Sequence, residues 1–434
     1  MPEIKPFRGI RYNPDKRGND LSRVTTPPYD CISEEAQEKY YQASSYNIIR
    51  VILGKDYPGD NERHNKYTRA ADTLKEWMAV GILIRDEEPA IYLYEQEYTL
   101  NGAKKTRWGL ICLVKLEKAD FHERTFEGPK ADRLKLMQAT GANTSQVFAL
   151  YQDPDNSITK AIRDSQSTHR LYDLVTEDEI RHRLWAITDQ AVIKTVSRIM
   201  KDQRLTIADG HHRYETALNF RQLQQNKAVS WSGQEGCNYR MIYLSNAYDE
   251  GMAILPTHRI IPGAGNLDQA GLKKRISQFF EIKSLGQREE MFRQMGSGMK
   301  RGLHLFGLNL GNNEYLSLTL RESMESLEGI IPKDKSKVFR ELDVTILHYL
   351  LIDHILWPFI DPDLIEEGGF KIEYSADPVE ASQWARETKG LVFFLNPIRV
   401  EEVMEVARQG ERMPQKSTYF YPKLLTGLVM NLIE

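Results

Sequence analysis

The run Leu205-Thr206-Ile207-Ala208-Asp209-Gly210-His211-His212-Arg213 gathers the groups that handle an anion. A short apolar strand ends in Asp209-Gly210, and a helix-like stretch follows over 214–225. Gly210 tolerates positive φ and so permits a tight strand-to-helix turn. The next backbone N–H groups lie at a helix N-terminus, where unpaired donors and the dipole favour negative charge. His211, His212 and Arg213 add cationic or switchable donors at the same place. This pattern builds a phosphate site without a P-loop. A plainer reading stands beside it: Asp209 caps the helix and the histidines are surface residues.

A second constellation is Phe121-His122-Glu123-Arg124-Thr125, followed by Gly128-Pro129-Lys130 and Asp132-Arg133. Glu123 comes just after a strand. Lys130 and Arg133 are three apart on the first turn of the next helix and share a face. A carboxylate near basic groups suits proton abstraction from a hydroxyl beside a bound phosphate. A solvated, salt-bridged helix start is the alternative. His122-Glu123 does not extend to the H-E-x-x-H zinc pattern, because position 126 is Phe126. His211 and His212 are adjacent and project in different directions, so no dedicated zinc site is expected.

The third cluster, Leu255-Pro256-Thr257-His258-Arg259, sets a hydroxyl, an imidazole and a guanidinium in a row. Arg259 can hold a phosphate or carboxylate bidentately; a loop with a surface arginine is the other reading. The fourth covers 410–423 and combines Lys416, Ser417, Thr418 and aromatics in a proline-bounded loop. Such loops often line sites, although aromatic packing on a core explains them equally. His182 and His348 read as structural. The chain has no G-x-x-x-x-G-K-[ST], G-x-G-x-x-G, H-R-D with D-F-G, or G-x-S-x-G motif.

The elements that must position these groups follow from periodicity and punctuation. The first 30 residues, with Pro2, Pro6, Pro14, Pro27 and Pro28, predict extended chain and turns. A buried strand is expected over 47–53, then a helix over 67–78 stopped by Gly81. Strands over 91–99 and 106–118 flank Asn101-Gly102, a hairpin signal. A helix starts near Pro129 and runs to Thr140, with Gly141 as its stop. Helices are expected over 192–200, 342–357 and 400–408, and strands over 241–245, 253–261 and 390–396. A second hairpin joins 303–309 to 315–320 across Gly311-Asn312-Asn313. The fold class is α+β, with mixed sheets and hairpins among helices. Domain boundaries are expected near 118 and 330. They give an N-terminal α/β domain (1–118), a central catalytic domain (119–330) and a C-terminal α/β region (331–434).

At 434 residues the chain is long for one core. Its hydrophobic share of 41% and charged share of 27% are those of a globular protein. A net charge of −3 gives no strong pull toward nucleic acid or an anionic membrane. Three scattered cysteines suggest neither a disulfide framework nor a cysteine zinc site. Met1-Pro2-Glu3-Ile4-Lys5-Pro6 lacks an apolar signal core, and no window predicts a membrane helix, so a cytoplasmic location is expected. Oligomeric state is not legible.

Five motifs occur in order. They are Thr26-Pro27-Pro28-Tyr29-Asp30, His122-Glu123-x-Thr125, the run 208–217 around Asp209-Gly210-His211-His212-Arg213, Leu255-Pro256-Thr257-His258-Arg259, and 413–423. Over nearly its full length the chain resembles a bacterial and protist family, formerly uncharacterised, that contains pyrophosphate-dependent L-serine kinases. The Asp209–Arg213 core is also similar to the site of free-serine kinases of the ParB/sulfiredoxin-like superfamily. The resemblance implies a ParB/sulfiredoxin-like catalytic core that makes O-phospho-L-serine from L-serine. Pyrophosphate is the implied donor, with ATP or ADP as alternatives, and Mg²⁺ the implied cofactor. It implies that Asp209 binds Mg²⁺ or orients a histidine, and that Gly210, His211, His212 and Arg213 hold donor phosphates. Glu123 matches the glutamate that takes the serine hydroxyl proton. Its distance in sequence from Asp209 departs from the shorter kinases, and an insertion such as 153–183 would account for that. Lys130, Arg133, Thr257, His258, Arg259, Lys416 and Ser417 become further candidates for donor or serine contacts. The rival classes are a ParB-like nucleotide-binding regulatory module and a phosphate-ester or pyrophosphate hydrolase.

Overall fold

The computed structural model describes residues 2–16, 20–117, 120–121, 123, 127–163, 168–264, 267–312, 314–321, 327–360 and 371–434. Of the residues named above, Met1, His122, Arg124, Thr125, Phe126 and Asn313 lie outside that set, as does position 118 at the end of an expected strand. The fold is α+β, as expected. Its residues group in two compact units. The first comprises Met1–Asp120, Thr125–Met252 and Pro422–Glu434; the second comprises Phe121–Arg124 and Ala253–Tyr421. Three consecutive stretches were expected, with breaks near 118 and 330. The observed units are discontinuous because the C-terminal segment rejoins the first one. Thr426 bridges Thr26, Met430 bridges Ile10, and Asn431–Leu432 pairs with Ala142–Asn143. Such a return leaves no polar linker for a sequence reading to find.

The first unit is built on a nine-stranded sheet. From Thr206–Asp209 inward the order is Val147–Tyr151, Tyr239–Asn246, Ala103–Lys115, Ile91–Leu100, Arg181–Ile187 and Thr168–Val175. Tyr239–Asn246 runs parallel to Val147–Tyr151, and the other neighbours in this order are antiparallel. The expected hairpin turns at Asn101 (φ 51°) and Gly102 (φ 76°). Two successive positive φ values match the twist of the flanking strands, which is why Asn-Gly is favoured there. Helix Glu127–Thr140 ends at Gly141 (φ 59°) and packs on helix His211–Lys227.

The expected strand over 47–53 is instead a buried helical turn, Ile49–Ile52. An apolar run this short fits a buried strand or a buried helix equally. A local turn decides: the Asn47 side chain accepts the Ile49 N–H at 2.9 Å, two residues on. Ile48, Val51 and Ile52 then join Leu74 and Trp77 of helix Lys66–Ala79 in one core.

The second unit holds a six-stranded antiparallel sheet. Its order is Phe280–Leu285, Tyr315–Leu320, Leu305–Asn309, Leu391–Phe394, His258–Ile261 and Glu373–Ser375. The strand expected over 253–261 is broken at Pro256-Thr257. Proline has no N–H to donate, so it interrupts a ladder. Ala253–Leu255 pairs with Tyr419–Tyr421, while His258–Ile261 enters the six-stranded sheet. The expected helix over 342–357 begins as Asp343–Ile346 and continues as a π-helix, Leu347–Leu356. Among the described residues, no helix is long and apolar enough to cross a membrane.

Candidate functional site

In the first unit the Thr206–Asp209 strand ends one residue before helix His211–Lys227. Gly210 makes the turn in the left-handed region, at φ 86° and ψ 32°. The first helical bond is Tyr214 N–H to the Gly210 carbonyl, at 3.0 Å. The amides of His211, His212 and Arg213 therefore precede the helical ladder, which is the geometry of an anion cradle. Gly210, not Asp209, occupies the cap position. The Asp209 carboxylate lies 3.3 Å from Arg213 Nη2 and 3.5 Å from Lys423 Nζ.

His211 is buried and His212 is partly exposed. Arg213 is turned inward: its Nη1 donates to the Gln146 carbonyl. Burial pushes its pKa down, but Asp209, Asp30 and Tyr29 pull it up, and the net shift is upward. Lys130 Nζ sits 3.3 Å from Glu215, on the motif's own helix. Arg133 lies 4.0 Å from the Tyr29 ring centroid, donates to the Ile52 carbonyl at 2.6 Å, and pairs with Asp132. These contacts bring Tyr29-Asp30, Lys130, Arg133, the 209–213 turn and Lys423 into one region of the first unit. Lys423 was not singled out as a site residue by sequence. Its only signal is that it closes the 413–423 motif, far along the chain from Asp209.

In the second unit, Thr257, Arg259, His304, Asp343, Asn396 and Ser417 line a pocket of about 370 Å³. That volume falls in the range of small-molecule sites. Thr257 Oγ1 is buried and has no hydrogen-bond partner among the described residues. Arg259 donates to the Thr257 carbonyl, to His348 Nε2 at 3.3 Å and to the Gln415 carbonyl at 3.3 Å. Burial pushes its pKa down to about 10, against the opposing pull of Tyr374 and Glu123. Burial, helped by Arg259, lowers His348 to about 3, so this imidazole is a neutral acceptor. His304 Nδ1 stands 2.8 Å from Asp343, whose pKa is raised by burial despite that partner.

Three expected ligands of the second unit have different surroundings. His258 lies in the core, edge-on to Phe394 with centroids 5.0 Å apart, and its Nδ1 accepts the Leu395 N–H at 3.3 Å. It does not line the pocket. Lys416 is exposed, in the left-handed region at φ 55°, and its backbone N–H donates to Glu123 Oε1 at 2.8 Å. Ser417 reaches the pocket, and its hydroxyl donates to the Pro414 carbonyl at 2.5 Å.

No group of three or more His, Cys, Asp or Glu side chains is placed to hold a metal among the described residues. Mg²⁺ commonly takes one or two carboxylates and completes its shell with phosphates and water. Asp209 alone fits an ion that arrives with a phosphate ligand, not a resident ion in a protein cage.

Residues 4–345 match the family described as "Protein of unknown function (DUF1015)". No curated protein matches the chain. A conserved hypothetical protein from Pyrococcus furiosus aligns with 72% of this chain and 92% of its own, at 15% identity and a TM-score of 0.34. A free serine kinase in complex with AMP aligns with 71% of this chain and 86% of its own, at 14% identity and a TM-score of 0.36. SbnI with a C-terminal truncation, from Staphylococcus aureus, aligns with 73% and 85%, at 10% identity and a TM-score of 0.34. Likenesses this distant do not transfer an activity.

Proposed function

The chain belongs to the DUF1015 family, and from that premise we propose that it phosphorylates free L-serine, with pyrophosphate as donor and Mg²⁺ as the accompanying ion. The observation that carries this reading is the 209–213 turn. Asp209 closes a strand, Gly210 turns left-handed, and the amides of 211–213 open a helix with Lys423 3.5 Å from Asp209. Phosphoryl transfer asks a protein chiefly for alignment and charge stabilisation, and this turn offers both.

The serine hydroxyl oxygen forms the new P–O bond, the bridging P–O bond of pyrophosphate breaks, and orthophosphate leaves. The amides of 211–213, with His211, His212, Lys423 and Lys130, hold the donor phosphates. Arg213, tied to Gln146 and Asp209, keeps the turn in shape. Arg133 supports it from the neighbouring helix. Asp209 would hold Mg²⁺, which when bound would supply neutralisation of the charge on the donor phosphates. Glu123 is the residue to which the family resemblance assigns the hydroxyl proton; its Oε1 accepts the Lys416 N–H. In the second unit, Thr257, Arg259 and Ser417 line a pocket of small-molecule size. The sequence has no P-loop or glycine-rich nucleotide fingerprint, which favours a donor without a base to bind.

Phosphorus NMR of the full chain with Mg²⁺ and L-serine, run with pyrophosphate, ATP and ADP in separate samples, tests this reading. A phosphoserine resonance in the pyrophosphate sample is expected. Orthophosphate without phosphoserine would make the protein a hydrolase, and no turnover with any donor would favour a binding module.

A further inference from the structure

A second, smaller pocket belongs to the first unit, and three arginines are among the residues that line it. Arg133, Arg213 and Arg240 line it together with Thr144, Ser145 and Thr216, and its volume is about 20 Å³. Arg240 sits on the Tyr239–Asn246 strand, 2% exposed. Its Nη2 donates to the Ser145 carbonyl at 2.6 Å, but its Nε and Nη1 are buried with no partner. Arg213 Nε is buried and unpartnered too. Buried donors left unsatisfied are costly, charged ones most of all.

The three arginines differ in their partners. Arg133 is paired with Asp132, and Arg213 with Asp209, with Asp30 acting on it as well. Arg240 makes no ion pair among the described residues, and the charge acting on it is the like charge of Arg213. Burial and that repulsion lower its pKa to about 9, so it still carries its proton at neutral pH. One uncompensated positive charge therefore faces a cavity rimmed by donors. A single water fits a space of about 15 Å³ or more, but a neutral water leaves the charge unmatched. At about 20 Å³ the space suits a monatomic ion better than a tetrahedral oxyanion.

We propose that this cavity holds one chloride-sized monovalent anion, bound by Arg240 Nε and Nη1 and by Arg213 Nε. The ion pairs the Arg240 charge and is independent of any turnover. Since Arg213 belongs to both the cavity and the 209–213 turn, the ion also steadies that turn from behind.

The test is thermal unfolding of the full chain at pH 7.5 and constant ionic strength, with sodium chloride exchanged stepwise for sodium gluconate. A saturable rise in midpoint with chloride is expected; at ten times the dissociation constant the unfolding equilibrium falls about elevenfold. Bromide should substitute and phosphate should not. Arg240→Met should remove the chloride dependence. Should that variant fail to fold, ³⁵Cl NMR of the wild type serves, with line broadening that bromide reverses as the expected result. Equal midpoints in chloride and gluconate, persistent dependence in Arg240→Met, or no broadening would overturn the proposal.

Discussion

Arg213 folds back over Gly210, so that its guanidinium carbon lies 2.9 Å from where a Cβ at position 210 would stand. Gly210 is thus required twice, once for φ 86° and once for space. The left-handed conformation costs an L-residue roughly 1–2 kcal/mol, and displacing a buried guanidinium adds to that. Gly210→Ala should lower the urea-derived stability by about 2 kcal/mol or more and weaken donor binding. A variant as stable as the wild type would contradict this account of the turn.

Lys423 faces Asp209 from the C-terminal segment. Its pair is partly exposed, so its removal should change stability by less than about 1 kcal/mol. Its larger effect should be on the donor. For Lys423→Met, steady-state kinetics should give a KM for pyrophosphate raised about tenfold or more, the signature of lost donor binding. An unchanged KM with an unchanged turnover number would remove Lys423 from the site.

The buried His182 and His258 and the half-buried His348 make the protein acid-sensitive. Burial holds His182, His258 and His348 each at about 3 in the folded state, whereas an unfolded imidazole titrates near ~6.5. Below that unfolded value the denatured chain takes up protons that the native state refuses. Stability is therefore intact above pH ~6.5 and lost as pH falls toward 3, by about 1.4 kcal/mol per pH unit for each imidazole. Denaturant titrations at pH 7 and pH 5 should show a large loss; equal stabilities would show that these rings protonate within the fold.

Glu123 is assigned the proton, not the phosphate. Glu123→Gln keeps the shape of the side chain and can still accept the Lys416 N–H. Phosphorylation of serine should fall by about 10²–10⁴-fold, while pyrophosphate binding measured by calorimetry should stay close to wild type. Turnover at the wild-type rate would exclude Glu123 as base.

The sequence made the local signals legible and hid those that depend on distant chain. Asn101-Gly102 and Gly210 announce turns because each needs a backbone conformation that few residues adopt. The amphipathic helix around Ile193, Val196 and Met200 was equally readable. The 47–53 run was not, since periodicity cannot separate a short buried helix from a buried strand, and a single Asn47 side-chain turn decides it. Pro256 breaks the 253–261 strand, and its two halves pair with strands more than 100 residues away. Lys423 and Arg240 carry no local signal. Lys423 gains its meaning only because the last segment returns to the first unit, and Arg240 only because its strand buries it opposite Arg213.

The central claim is that the 209–213 turn transfers a phosphoryl group from pyrophosphate to L-serine. The most direct measurement is transfer of label from ³²P-pyrophosphate to serine in the presence of Mg²⁺, for the wild type and for Asp209→Asn. The account predicts labelled phosphoserine from the wild type and little or none from the variant. Label recovered only as orthophosphate or pyrophosphate, or equal phosphoserine from both proteins, would contradict it.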